Sequence, residues 1–323
     1  MVVYSPHREL VREILKRAEK ALSDSGYACK FSPGDVRKPP KGAGDIALQL
    51  FRVAKEVNAS PQTLASIVAE SFTPGELLTA ARAARGYVNY TVDVASYARL
   101  VIDTIEKLGP DYGNVPAERP LRVIVEHTSA NPVHPLHIGH LRNCLLGDSL
   151  ARILRARGHN VRTHFYIDDV GLQVAYAAYG YSKVGDMRGR LKPDHFVGLV
   201  YSMTYTLVEL EEAKRRLKEA KEAGLDEEVL RIQRKMDDLV ASANELREKD
   251  EELFYRLLDA ISKDPDPMDR VQEINRAYER GEPWAVKMVR ELVKTCLDGF
   301  KETFKRLGVE FDSWDWESEL TVW

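Results

Sequence analysis

Cysteine is scarce in this chain of 323 residues: Cys29, Cys144 and Cys296 are odd in number and far apart. No CxxC pair offers a zinc arm and no even set offers a disulfide framework, so a reducing, cytoplasmic setting is expected. Long apolar runs are missing as well. No stretch of 18 apolar residues occurs, and the first thirty positions carry acids and bases throughout, so neither a membrane span nor a secretory leader is expected. Proline and glycine, at 15 and 20, are too few for a collagen, a Pro-rich scaffold or a low-complexity chain. With 44% hydrophobic and 30% charged residues, what is left is a globular protein of two or three domains, each long enough to bury a core.

The net charge of −3 hides an asymmetry. Residues 1–120 carry +2, residues 121–185 carry +3 and residues 186–323 carry −8. A basic front beside an acidic rear permits a nucleic-acid surface without demanding one. Apolar spacing predicts helices over 5–22, from about Asp45 through Ala54, over 61–70 and 74–84, and over 94–108, with strands at Tyr27–Phe31 and Gly86–Val92. The punctuation from Gly109 to Pro120 ends a first domain at about residue 115.

Leu121–Glu126 is a short β-branched run of the kind found in buried parallel strands, residues 137–157 have helical spacing ended by Gly158, and Val161–Ile167 is a second strand. Strand, helix and strand in about 47 residues make a βαβ unit, whose ligands bind beyond the carboxyl ends of the strands. Residues 196–263 keep 3/4 apolar spacing broken at Asp250, with Gly224 as a turn, which reads as an inserted helical hairpin. A helix over 283–307 and a strand at Val309–Phe311 return to the α/β pattern. No internal repeat is visible, and the semi-apolar ending Glu319–Trp323 reads as a truncation.

Six of the eight histidines fall within 127–164, most densely in Glu126–His140 (EHTSANPVHPLHIGH). His137 and His140 are three residues apart on a first helical turn, where both imidazoles share a face and free backbone N–H groups favour an anion such as phosphate. Gly139 between them opposes helix propensity, as expected where a nucleotide approaches the backbone. Two alternatives stay open: the histidines cap or pack the helix, or His134, His137 and His140 form a metal site. The second lacks the further acids or cysteines expected as ligands, and Pro135 breaks the helix before His134 can join it.

These residues are similar to the His-Ile-Gly-His region of class I aminoacyl-tRNA synthetases, and in detail the chain resembles the arginyl-tRNA synthetases, its archaeal-type members most closely. The resemblance is carried by Glu126, Ser129, Asn131, His137–His140, Leu141-Arg142-Asn143, Gly147-Asp148, Gly158-His159 and Asp169–Gln173. A second block, Gly44–Ala47, Phe51, Ala54, Pro61 and Gly86–Tyr90, resembles the family's amino-terminal domain. It implies an α/β fold: the first half of a Rossmann-type catalytic domain, truncated, with an α+β amino-terminal domain and a helical hairpin insertion. The expected divisions are 1–115, 116–185, 186–283 and 284–323.

The same resemblance implies an arginine–tRNA ligase using ATP, Mg2+ carried with the ATP, L-arginine and tRNA(Arg). It makes His137 and His140 catalytic and places ATP along Ala130, Asn131, Pro132, His134, Leu136, His137, Ile138, Gly139 and His140. Arginine falls to Glu126, Ser129 and Asn131, in keeping with a guanidinium's need for a carboxylate. Asp169 and Gln173 support the pocket or the tRNA end, although Asp168 could equally cap the next helix. Asn89 and Tyr90 fall in the domain that touches the outer corner of tRNA. His134 stands where relatives without a Lys-Met-Ser-Lys loop have lysine, so that loop is expected beyond these residues, in a missing carboxy-terminal half. The isolated chain is expected to be poorly active, and the complete protein a cytoplasmic monomer. A non-catalytic tRNA-binding module derived from a synthetase is the competing reading.

Overall fold

The computed structural model describes residues 5–189 and 191–323. It divides into two compact units, one running to Pro120 with Ala156–Gly158 added, the other comprising Leu121–Arg155 and His159–Trp323. No helix among the described residues is long and apolar enough to cross a membrane.

The first unit opens with α1 (Pro6–Asp24), started by the Ser5 side chain accepting from the Arg8 N–H, with Pro6 at its first position. Leu10, Ile14, Ala18 and Leu22 are its buried stripe. There follow β1 (Val36–Arg37), β2 (Ile46–Gln49), α2 (Phe51–Glu56), α3 (Pro61–Glu70), β3 (Leu78–Ala84), β4 (Tyr87–Val92) and α4 (Val94–Leu108). The strands make one antiparallel sheet in the order β1-β2-β4-β3, its last hairpin turning through Arg85 and Gly86, both at positive φ. α1 and α3 join the sheet in one core around Ile14, Leu22, Leu48, Leu64 and Tyr90.

Three local expectations fail here. Tyr27–Phe31 takes no regular structure. Residues 46–49 are strand, not helix: β2 lies between β1 and β4 with Ile46, Ala47 and Leu48 all buried, and a strand covered on both faces loses the alternation that would betray it. Residues 78–84 (LTAARAA) are alanine-rich and so read as helix, yet their pairing with β4 overrides that propensity.

In the second unit, β5 (Arg122–Glu126), α5 (Ile138–Ala156) and β6 (Asn160–Ile167) form the βαβ unit, with β5 and β6 parallel and Glu126 opposite His164. Then come α6 (Leu172–Val184), α7 (Pro193–Glu222), α8 (Asp226–Lys249), α9 (Glu251–Ser262), α10 (Pro267–Glu279), α11 (Pro283–Leu307) and β7 (Ser313–Trp316). β7 adds parallel to β6, giving the order β5-β6-β7. The strand expected at 309–311 begins two residues beyond that stretch, after Asp312 accepts the Thr163 N–H at 2.7 Å.

The insertion is more than a hairpin. The first half of α7 lies in the unit's main core through Phe196, Val197, Val200, Met203 and Leu207, beside α6 and α11. Its second half pairs with α8 across Gly224 in a separate cluster, around Ala213, Ala220, Ile232 and Leu239. Asp250 breaks the spacing because its carboxylate caps α9, accepting from the Leu253 N–H at 3.0 Å, and Leu253, Leu257 and Ile261 re-enter the main core.

Candidate functional site

The carboxyl ends of β5, β6 and β7 present Glu126, Asp168-Asp169 and Glu317 on the side where parallel α/β sheets bind ligands. The connection from β5 to α5 turns sharply, with Thr128 at φ +70° and Ser129 at φ +41°. A β-branched residue in the left-handed region is strained and must be held there. The Ser129 hydroxyl donates to Glu126 Oε1 (2.5 Å) and accepts the Tyr166 N–H (3.1 Å), which ties the turn to the ends of two strands. His127 beneath it is buried against Phe311, with ring centroids 4.5 Å apart, and its Nδ1 lies 3.0 Å from Thr128 Oγ1. Gly147 of α5 lies so close to His127 that a methyl group there would overlap the imidazole.

Ala130, Pro132 and Val133 are buried and anchor the loop, so the side chains it leaves accessible are Asn131, His134, Leu136, His137, Ile138 and His140. The Asn131 Nδ2 donates to Gln173 Oε1 at 3.0 Å, joining this loop to the first turn of α6. His137 and His140 are stacked with centroids 3.8 Å apart, and His134 lies 5.8 Å from His140, nearly parallel to it. The Gly139 N–H donates to His137 Nδ1 (3.1 Å) and the His137 N–H to His140 Nδ1 (3.3 Å). With Nδ1 accepting, each neutral ring carries its proton on Nε2, a donor left for a ligand. A side chain at 139 would stand 2.9 Å from His137 Cε1, so the glycine makes room for the imidazole itself. Burial, then the neighbouring His137 and His134, hold His140 below the usual histidine range. The two rings border a cavity of 380 Å³ whose far wall is Thr303, Phe304, Arg306 and Leu307 of α11.

Asp169 is fully buried and built into the scaffold. It accepts from the Tyr278 hydroxyl, the Ser318 hydroxyl (2.6 Å) and the Ser318 N–H (3.0 Å), with Arg290 Nε at 3.9 Å. The Arg290 guanidinium lies 3.7 Å above the Trp316 ring and pairs with Glu319. Beside this, burial and the adjacent Asp168 raise the Glu317 carboxyl above the ordinary range. Tyr278, Arg290, Ser318 and Glu317 carry no sequence signal linking them to Asp169, since they lie over a hundred residues away along the chain.

In the first unit, strand alternation separates the two expected tRNA-facing residues. Asn89 lies on the outer row of β4, bordering a 510 Å³ cavity with Arg37, Lys38, Arg85 and Tyr87. Tyr90 points inward and is 1% exposed, its hydroxyl without a partner among the described residues, so its side chain is core.

Comparison with known proteins agrees with this geometry. The family model described as tRNA synthetases class I (R), catalytic domain, matches residues 111–302, so the second unit's parallel sheet and histidine turn define a class I synthetase catalytic domain. The model of the arginyl tRNA synthetase N terminal domain matches residues 8–92, and the chain belongs to the arginyl-tRNA synthetase family.

Curated relatives named arginine–tRNA ligase include those of Sulfolobus acidocaldarius (41% identical over 283 residues, 87% of this chain and 43% of that protein) and Saccharolobus solfataricus (37% over 317 residues, 95% and 49%). Among solved structures, Thermus thermophilus arginyl-tRNA synthetase superposes with a TM-score of 0.59 at 28% identity, over 96% of this chain and 41% of that one. The chain spans about half the length of the curated relatives it matches.

Proposed function

We propose that this chain carries the amino-terminal domain and the first part of the catalytic domain of an arginine–tRNA ligase. The observation that carries the reading is the stacked His137–His140 pair, opening α5 directly beyond a parallel strand, in a chain of this family. In the first step an arginine carboxylate oxygen attacks the α-phosphorus of ATP, forming arginyl-adenylate as pyrophosphate leaves. In the second, a terminal ribose hydroxyl of tRNA(Arg) attacks the arginyl carbonyl and AMP leaves with the bonding pair. No enzyme nucleophile is needed. The Nε2 donors of His137 and His140 would meet the phosphates as charge shifts onto the leaving oxygens, and Mg2+ enters with the nucleotide.

Glu126 and Asn131 are the groups suited to the substrate's guanidinium and ammonium, with Ser129 fixing the Glu126 carboxylate. Asp169 and Gln173 act from behind, Gln173 by orienting Asn131. Asn89, among Arg37, Lys38 and Arg85, gives the first unit a basic, polar surface for tRNA. A cytoplasmic place accompanies this role.

Arginine-dependent ATP–pyrophosphate exchange tests the reading, using the chain alone and the chain mixed with the separately produced carboxy-terminal remainder of the Sulfolobus acidocaldarius relative. Exchange is expected only in the mixture, and His140→Ala should lower it roughly a hundredfold or more. No exchange in either setting, with tRNA binding retained, would replace the ligase reading by that of a tRNA-binding module.

A further inference from the structure

The first unit holds a polar cleft on the helix-covered side of its sheet, opposite the row that carries Asn89. A cavity of 400 Å³ opens between the last turns of α1 and the end of α3, with Tyr90 of β4 at its floor. The Tyr90 ring is 1% exposed and packs edge-on against Phe72, while its hydroxyl is buried and without a partner among the described residues. Phenylalanine would fill the same space without stranding a polar atom, so packing gives no reason for the hydroxyl. Burial, against the pull of Arg17, raises Tyr90 above the usual tyrosine range and keeps the hydroxyl a donor. Two cations border the same cavity. Arg17 is fixed in place: its guanidinium donates to the Thr73 carbonyl at 2.7 Å, pairs with Glu13 at 2.7 Å and lies 5.7 Å from the centre of the Phe72 ring. Lys20 is exposed and makes no ion pair or hydrogen bond among the described residues.

We propose that this cleft is a binding site for a nucleoside monophosphate, its phosphate held by Lys20 and the Tyr90 hydroxyl and its base laid along Phe72. The two unengaged groups are both donors, and the Arg17 charge stands beside them, which selects an anion. Asp24, one turn beyond Lys20 at the rim, is an acceptor suited to ribose hydroxyls and would repel a bare anion carrying charge at both ends. An aromatic wall at Phe72 suits a planar base. The volume falls in the range of small-ligand pockets, about 300–1,000 Å³. Depth separates a small molecule from a polymer: the floor donor is met only by a group that enters the cleft, and a phosphate within a continuous RNA backbone stays at the rim. The site lies wholly within the first unit, so it stands whether or not the chain serves as a ligase.

Urea unfolding of the whole chain with AMP as the added ligand tests this, because a ligand stabilises the unit that holds it. Millimolar AMP is expected to raise the first unit's midpoint and to slow amide hydrogen exchange over residues 17–24 and 68–73. Tyr90→Phe and Lys20→Ala should each weaken the affinity read from that shift roughly tenfold, while the first unit's midpoint without AMP stays close to that of the parent chain. No shift of the first unit, or a shift that both variants leave intact, would overturn the proposal. An equal response to inorganic phosphate would also overturn it, by showing an anion site with no nucleoside part. A response to a tRNA transcript without one to AMP would give the cleft to RNA instead.

Discussion

The two units solve the problem of covering a sheet in opposite ways. In the first, four antiparallel strands are close neighbours in sequence and two helices, α1 and α3, close over them, so Leu48, Leu64 and Leu78 are fully buried by elements within about ninety residues. In the second, three parallel strands need long crossovers, and the last joins β6 to β7 through six helices. Those helices bury one another thoroughly, α6 most of all, yet leave β5 and α5 with exposed apolar surface. Antiparallel pairing completes itself locally, whereas a parallel sheet depends on distant chain. The first unit is not without exposed apolar residues, since Ile102 and Ile105 of α4 face solvent, but the apolar face of its sheet is covered by its own helices.

Four substitutions or conditions bear on that contrast. The largest effect is expected at Asp169, where the second unit's distant segments converge. Asp169→Ala strands the buried Tyr278 and Ser318 donors and takes a carboxylate from beside Arg290, which keeps Glu319, and should cost about 3 kcal/mol in urea unfolding of that unit alone. A loss shared equally by both transitions would break the contrast.

The first unit's counterpart is local. Asp35, nearly buried, accepts from Arg52 Nη2 at 2.6 Å and from the Ser32 N–H at 2.8 Å, and these bonds outweigh burial to hold its carboxyl below the usual range. Arg52 is 41% exposed, so Arg52→Ala should cost about 2 kcal/mol, confined to the first transition.

Acid should separate the units next. Burial lowers His127, against the pull of Asp148 and Glu126, and burial with His137 and His134 lowers His140. The unfolded chain therefore binds these protons first as pH falls. Stability is complete above the ordinary histidine value of about 6.5 and declines from there down through the folded values. The only histidine in residues 1–120 is His7. The second unit's urea midpoint should drop between pH 7.5 and 5.5 ahead of the first unit's, and parallel decline would show that these histidines do not carry the effect. The smallest effect is at Tyr90: Tyr90→Phe removes a buried hydroxyl without a partner among the described residues and should leave the first transition within about 0.5 kcal/mol.

What the sequence revealed follows the same division. The βαβ unit was legible because β5, α5 and β6 are consecutive and their periods differ, and the histidine turn was legible because Gly139 and the paired imidazoles stand within four residues. Misreadings gathered where neighbours outweigh local preference. Ile46, Leu50, Val53 and Ala54 carry a helical spacing across what is a central strand followed by a short helix, and the alanines of β3 are strand only because β4 lies beside them. Asp169 stood out through family resemblance, but the residues that hold it come from α10, α11 and the segment after β7, and no local pattern connects them. The exposed apolar residues of α5, among them Leu145, Leu146 and Leu150, carry no mark of their exposure for a related reason, since apolar spacing tells which residues want cover and not which side receives it.

The exposed apolar side of α5 has a consequence in time. Translation delivers the antiparallel sheet and its two covering helices first, and at roughly 5–20 residues per second they can close while later segments are still unmade. When Leu145, Leu146 and Leu150 leave the ribosome, β6 has yet to emerge behind them and β7 is more than a hundred and fifty residues away. A growing chain thus carries one finished domain and one sticky helix, and it is along this helix that a nascent-chain chaperone would find its longest-lived foothold.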